Sequence, residues 1–121
     1  MPIPDFQSIM LPMLTLASDG KDHVLRDAAE NLSAHFGLTD AERAELLPSG
    51  MQPVFNNRIG WARTFLKQAG LLESPRRGTF KISAAGQKLL AEKPARIDMK
   101  LLERYESYRA FRLRGKEANA T

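Results

Sequence analysis

Arg63 and Lys67 stand four residues apart within a stretch, Val54 to Ala69, that carries no carboxylate, and Asn56 lies two helical turns before Arg63. On a helix the two bases point the same way. An arginine can donate two bonds to O6 and N7 of guanine, and an asparagine can pair with N6 and N7 of adenine. Gly60 between them leaves room for a polyanion to approach the backbone, and Asn57 and Thr64 extend the polar surface. Farther on, Arg76 and Arg77 stand in Pro75-Arg76-Arg77-Gly78, with Lys81 close behind. Cations at a hairpin tip can reach phosphates or enter a minor groove. The chemistry these residue types suit is the reading of duplex DNA. Arg58, near the edge of the apolar face, suits a structural or phosphate-flanking role. Trp61, beyond Phe65 on that side, is expected in the core.

Other chemistry finds little footing. His23 and His35 are twelve residues apart, a spacing that matches no common metal site, and His23 has only Asp27 one turn on. The pairs Asp19 with Asp22 and Glu42 with Glu45 read as turn chemistry and an exposed helix face. No glycine-rich phosphate loop is present, and with no cysteine there is no thiol nucleophile or thiolate metal site. No catalytic residue, metal site or cofactor is expected.

The elements that must position the basic residues follow from periodicity. At about 100° per residue, Phe55, Ile59, Ala62, Leu66 and Ala69 fall on one face of a helix over about 54–69. Asn56, Gly60, Arg63, Thr64 and Lys67 fall on the other. Gly70 stands where a helix-ending glycine belongs. The period then becomes two: Leu72, Phe80 and Ile82 alternate with Glu73, Thr79 and Lys81, which predicts a hairpin with one buried face and a basic tip at 75–79.

Upstream, Phe6, Ile9, Met10, Met13, Leu14 and Ala17 predict a helix over 5–18, kinked or restarted at Pro12. Asp22–Leu25 reads as a short extended link able to pair with the hairpin. A second helix is predicted from Arg26 to Phe36. Thr39-Asp40-Ala41-Glu42 is a capping box opening an acidic helix that runs to Leu47 and stops at Pro48-Ser49-Gly50. Downstream, Ser83 caps a short helix over 84–92, and one last helix is predicted from Ile97 to Arg112. Its apolar stripe comprises Leu101, Leu102, Tyr105, Tyr108 and Phe111.

A chain of 121 residues, 43% hydrophobic, can bury one core, so a single domain is expected over 1–114, followed by a tail or linker start at 115–121. No apolar run is long enough to span a membrane and the N-terminus lacks a basic leader, so a cytoplasmic location is expected. The net charge of +4 is unevenly spread. Residues 1–51 carry eight carboxylates against three Lys or Arg, residues 52–81 one against six, and residues 82–121 five against nine. A basic block on a helix and hairpin is the footprint of a polyanion binder, although a merely solvated basic face has the same composition.

Three blocks carry a family likeness: Leu46-Leu47-Pro48-Ser49-Gly50, Phe55 to Ala62, and Ala69 to Gly78. With Leu11-Pro12, Asp19-Gly20 and Pro94 to Asp98, they make residues 3–112 resemble the N-terminal domain of Mrr-type restriction endonucleases. A helix followed at once by a basic-tipped hairpin is the plan of a winged helix-turn-helix, here mainly α with a small β-hairpin, an extra acidic helix and a C-terminal helix. The resemblance likewise implies a winged-helix DNA-binding domain. It also implies double-stranded DNA, methylated DNA included, as partner. In that family a PD-(D/E)xK nuclease domain follows, and these 121 residues hold no such carboxylate set; the chain is expected to be a targeting module cut from a longer enzyme or one acting alone. A second reading is a protein-interaction module, its terminal aromatic helix forming a homodimer.

Overall fold

The computed structural model describes residues 3–119, with side chains through Gly115. Among these residues the order is α1 (Phe6–Leu16), β1 (His23–Val24), α2 (Leu25–His35), α3 (Asp40–Ala44), α4 (Val54–Gln68), β2 (Leu72–Glu73) and β3 (Thr79–Ile82). Then follow α5 (Ala84–Ala91), α6 (Met99–Leu102) and α7 (Glu106–Asn119). The protein is mainly helical, with one small antiparallel sheet in the order β1-β3-β2. The register pairs His23 with Phe80 and Val24 with Thr79 on one side of β3, and Leu72 with Ile82 and Glu73 with Lys81 on the other.

α4 is the axis of the core. Its buried Phe55, Ile59, Ala62, Phe65 and Leu66 meet α1, which packs along it most extensively and buries Ile9, Met10, Met13 and Leu14. Ala28, Ala29 and Leu32 of α2, Leu72, Phe80 and Ile82 of the sheet, and Leu89, Leu102 and Tyr108 complete the cluster. Removing such area from water supplies the main driving force for the fold, at about 25 cal/mol per Å² of apolar surface.

Helix ends are set by local chemistry. Asp5 accepts the Ser8 amide at 2.7 Å to open α1. Thr39 and Glu42 form the expected capping box at the start of α3. Gly70, at φ 81°, ends α4, while the amides of Gly70 and Leu71 return to the carbonyls of Lys67 and Leu66. That pairing satisfies two carbonyls a helix end would otherwise leave open. Ser83 accepts the Gly86 amide and donates to the Gly70 carbonyl at 2.6 Å, so α5 begins against the end of α4.

Four sequence expectations are corrected. α1 runs through Pro12 as one helix, so it does not restart there; the buried residues on both sides of Pro12 hold it against α4. α3 ends at Ala44, three residues short of Leu47. There the chain turns to pair with itself: the Val54 amide donates to Glu45 at 2.7 Å, and the Leu47 amide donates to Gln52 at 3.0 Å. The predicted last helix is two, α6 and α7, with a turn at Glu103–Tyr105. Leu102 and Tyr108, both buried, would stand about 120° apart on one continuous helix, and the turn lets both face inward. Thr79, expected to alternate outward, is buried. α7 reaches Asn119; of the tail expected at 115–121, Ala120 and Thr121 lie outside the described residues.

Candidate nucleic-acid interface

The outward strip of α4 carries the predicted side chains in order. Asn56 and Lys67 are exposed, and Asn57, Gly60, Arg63 and Thr64 are half-buried. A Cβ built on Gly60 meets nothing within 4 Å, so this glycine does not serve a close helix contact and the middle of the strip is open. Arg63 keeps its Nε shielded from solvent without a partner, which means that its stem lies along the helix surface. Arg58 turns the other way and donates to the carbonyls of Ile3 at 2.8 Å and Pro4 at 3.2 Å. It is a structural clasp on the N-terminal segment. Trp61 is corrected from core to surface: it is 49% exposed, with its ring edge-on to Phe65 at 6.2 Å.

The hairpin presents Arg76 and Arg77 on a rigid tip. The Arg76 amide donates to Thr79 Oγ1 at 3.0 Å, and the Thr79 hydroxyl donates back to the Arg76 carbonyl at 2.6 Å. Ser74 Oγ lies 3.1 Å from the carbonyls of both Arg76 and Thr79. The inward turn of Thr79 is therefore what stiffens the tip. Arg76 also lies 3.8 Å from Asp22, an exposed pair of little energetic weight. Lys81, half-buried on β3, sits opposite Glu73. The outward strip of α4 and the hairpin tip belong to consecutive elements joined through Gly70.

Two further groups of titratable residues serve the fold. His23 Nε2 lies 2.9 Å from Asp19, and its ring stacks on Phe80 at 5.6 Å. That hydrogen bond holds the Asp19 carboxyl below its ordinary range. Arg43 bridges α3 to α2 through Ser33 and Glu30, and lowers the Glu30 carboxyl in the same way. Among the described residues no three His, Asp or Glu side chains converge as a metal site. No helix there is long and apolar enough to cross a membrane.

The aromatic stripe of the C-terminal helices is used internally. Tyr108, 2% exposed, packs on Phe65 at 5.9 Å, and Phe111 meets the same ring at 5.7 Å. Burial raises the Tyr108 hydroxyl above its ordinary range. The stripe covers α4 rather than standing free.

Residues 6–92 match the family described as Mrr N-terminal domain. The chain belongs to that family. It is also 37% identical over 95 residues to the type IV methyl-directed restriction enzyme EcoKMrr of Escherichia coli K12, a match covering 78% of this chain and 31% of that relative. This Mrr N-terminal domain thus spans about a third of that enzyme's length. No solved structure matches the chain. The family match runs from the first residue of α1 to the end of α5 and contains the whole of α4 and the hairpin. α6 and α7 lie beyond it.

Proposed function

We propose that this Mrr N-terminal domain is a DNA-binding targeting module of a restriction system. In this reading α4 is the recognition helix of a winged helix-turn-helix and enters the major groove, while the hairpin tip grips the backbone or the minor groove. The single observation that carries it is the outward strip of α4: Asn56, Gly60, Arg63 and Lys67 in line, open above Gly60, with no carboxylate anywhere in the helix. Hydrogen-bonding side chains beside cations, on a helix narrow at its centre, suit base edges flanked by phosphates. The chain order helix, strand, helices, hairpin and the sheet order β1-β3-β2 support the winged assignment.

The name of the E. coli relative, a methyl-directed restriction enzyme, supports modified duplex DNA as the target. A nuclease domain in the remainder of the parent protein would do the cutting, with this module supplying the address.

The test is a fluorescence-anisotropy titration of labelled duplexes, methylated and unmethylated, at two salt concentrations. Binding should weaken steeply with salt, because each neutralised phosphate contributes about 0.9 to the log–log slope. Absence of binding to either duplex at low salt would refute the reading. The protein-interaction alternative predicts salt-insensitive self-association; the internal packing of Tyr108 and Phe111 weighs against it.

A further inference from the structure

The hairpin tip is not a free wing. Its Gly78 carbonyl accepts the Leu25 amide at 2.8 Å, and Val24 pairs with Thr79, so the tip is clasped to the start of α2. Between them lies an open cleft of about 520 Å³, walled by Val24, Leu25 and Arg26 on one side and Arg76, Arg77, Gly78 and Thr79 on the other. Three arginines from segments fifty residues apart thus border one concavity. All three arginines are exposed, and the tip that carries Arg76 and Arg77 is locked by the Ser74 and Thr79 hydrogen bonds. Arg26 has no place in the recognition helix or in the hairpin, and its charge is unexplained by either.

We propose that Arg26, Arg76 and Arg77 form one phosphate-binding cleft that holds a backbone phosphate of the duplex, with Arg26 a binding residue in its own right. The proposal rests on the DNA-binding reading and adds to it a site outside α4. Guanidinium groups bind phosphate through paired N–H donors, and a tip already fixed in place loses little freedom on contact. Asp22, 3.8 Å from Arg76, is the carboxylate that competes with the phosphate for that arginine. Asp27, exposed in the first turn of α2, is the other acid near Arg26. The cleft therefore has a built-in competitor that can be removed.

The experiment uses the full chain and a fluorescein-labelled DNA duplex, with affinity measured across a series of chloride concentrations. Arg26→Gln should weaken every duplex alike and lower the log–log salt slope by about 1. Arg26→Lys should restore most of the slope, and Asp22→Asn should tighten binding. Arg26 is exposed, so its variants should keep the native circular dichroism and melting temperature. An unchanged slope in Arg26→Gln, while Arg63→Ala still weakens binding, would overturn the cleft and leave the recognition helix standing. Failure of the unaltered chain to bind would overturn both. Inorganic phosphate in place of chloride at equal ionic strength separates the two sources of a phosphate group. Displacement of the duplex by phosphate in the unaltered chain but not in Arg26→Gln is the result expected of a cleft that holds a backbone phosphate. Phosphate that raises the melting temperature of the unaltered chain but leaves its duplex affinity unchanged would mean a free-anion site and overturn the backbone assignment.

Discussion

A side chain on Gly86 would collide with the carbonyl oxygen of Leu71 and with the side chain of Ile82. That closeness is how α5 docks on the hairpin: Ser83 caps the helix, its amide donates to the same Leu71 carbonyl at 3.0 Å, and the next turn lies directly on the strand. Gly86 is therefore a packing glycine.

Gly86→Ala should destabilise the protein. Alanine would gain about 1 kcal/mol of helix propensity. Against this, forcing a methyl into a backbone contact that cannot yield costs about 1–3 kcal/mol or more. A thermal melt should show the midpoint fall by roughly 4 °C for each kcal/mol lost. A raised midpoint would mean that α5 does not sit on Leu71.

The outward strip of α4 makes a different kind of prediction. Arg63→Ala should cost about 1–3 kcal/mol of binding and relax preference among duplexes, whereas Lys67→Ala should weaken all of them uniformly. Because the stem of Arg63 lies along the helix with its Nε shielded, Arg63→Met is the control that removes charge and donors while keeping most of the stem packing. Equal affinities in all three variants and the unaltered chain would exclude α4 as the reader.

How far the sequence reached is best judged from particular residues. Elements with a strong period and local punctuation were legible: α4 with its closing Gly70, the alternation of Leu72, Phe80 and Ile82, and the box of Thr39 and Glu42. What escaped were features decided by partners distant in the chain. Nothing near Ala44 announces that the Glu45 carbonyl will take the Val54 amide. The turn that brings both Leu102 and Tyr108 inward depends on where Phe65 stands, and the burial of Thr79 depends on the Arg76 backbone. Arg26 is hidden from the sequence for the same reason: it becomes a neighbour of Arg76 and Arg77 only once β1 pairs with β3. The proposed site residues on α4 and the hairpin lay within single elements, which is why they could be named from spacing.

Four carboxylates tie stability to pH. Asp5 is held low chiefly by the Ser8 amide, Asp19 by His23, Glu30 by Arg43 and Glu42 by the Thr39 amide. Each has a folded pKa below the ordinary 3.8 of aspartate or 4.5 of glutamate. Their stabilisation is thus full above those values and is lost as pH falls through the lowered ones. Denaturant melts should show stability declining below about pH 4.5. Asp5→Ala, which removes a helix cap, should cost about 1 kcal/mol near neutrality and progressively less in acid. A deficit that stayed constant down to pH 2 would show that the Asp5 charge plays no part.

Tyr108 makes a test of the terminal helix. With its ring wedged between Phe65 and Phe111, Tyr108→Glu should undo the docking of α7. Loss of a buried aromatic side chain costs about 3–5 kcal/mol even before a charge is buried. A large fall in melting temperature is expected. If instead the variant melts normally and merely loses a concentration-dependent dimer in sedimentation, this tyrosine faces another copy and the internal packing is wrong.

Trp61 is the chain's single tryptophan, and its position fixes what it can report. Half-exposed at the edge of Phe65, it should emit at a wavelength typical of a wet indole and be quenched by acrylamide in the native state. Trp61→Phe should change stability by less than about 1 kcal/mol, as surface substitutions do. On the helix it lies about 100° or more from each of Asn56, Gly60, Arg63 and Lys67, so a duplex docked on that strip would pass it by. Acrylamide quenching should therefore be the same with and without bound DNA. Protection on binding would rotate the reading face toward Thr64, Gln68 and Trp61, and Trp61→Ala would then weaken the complex where Asn56→Ala did not.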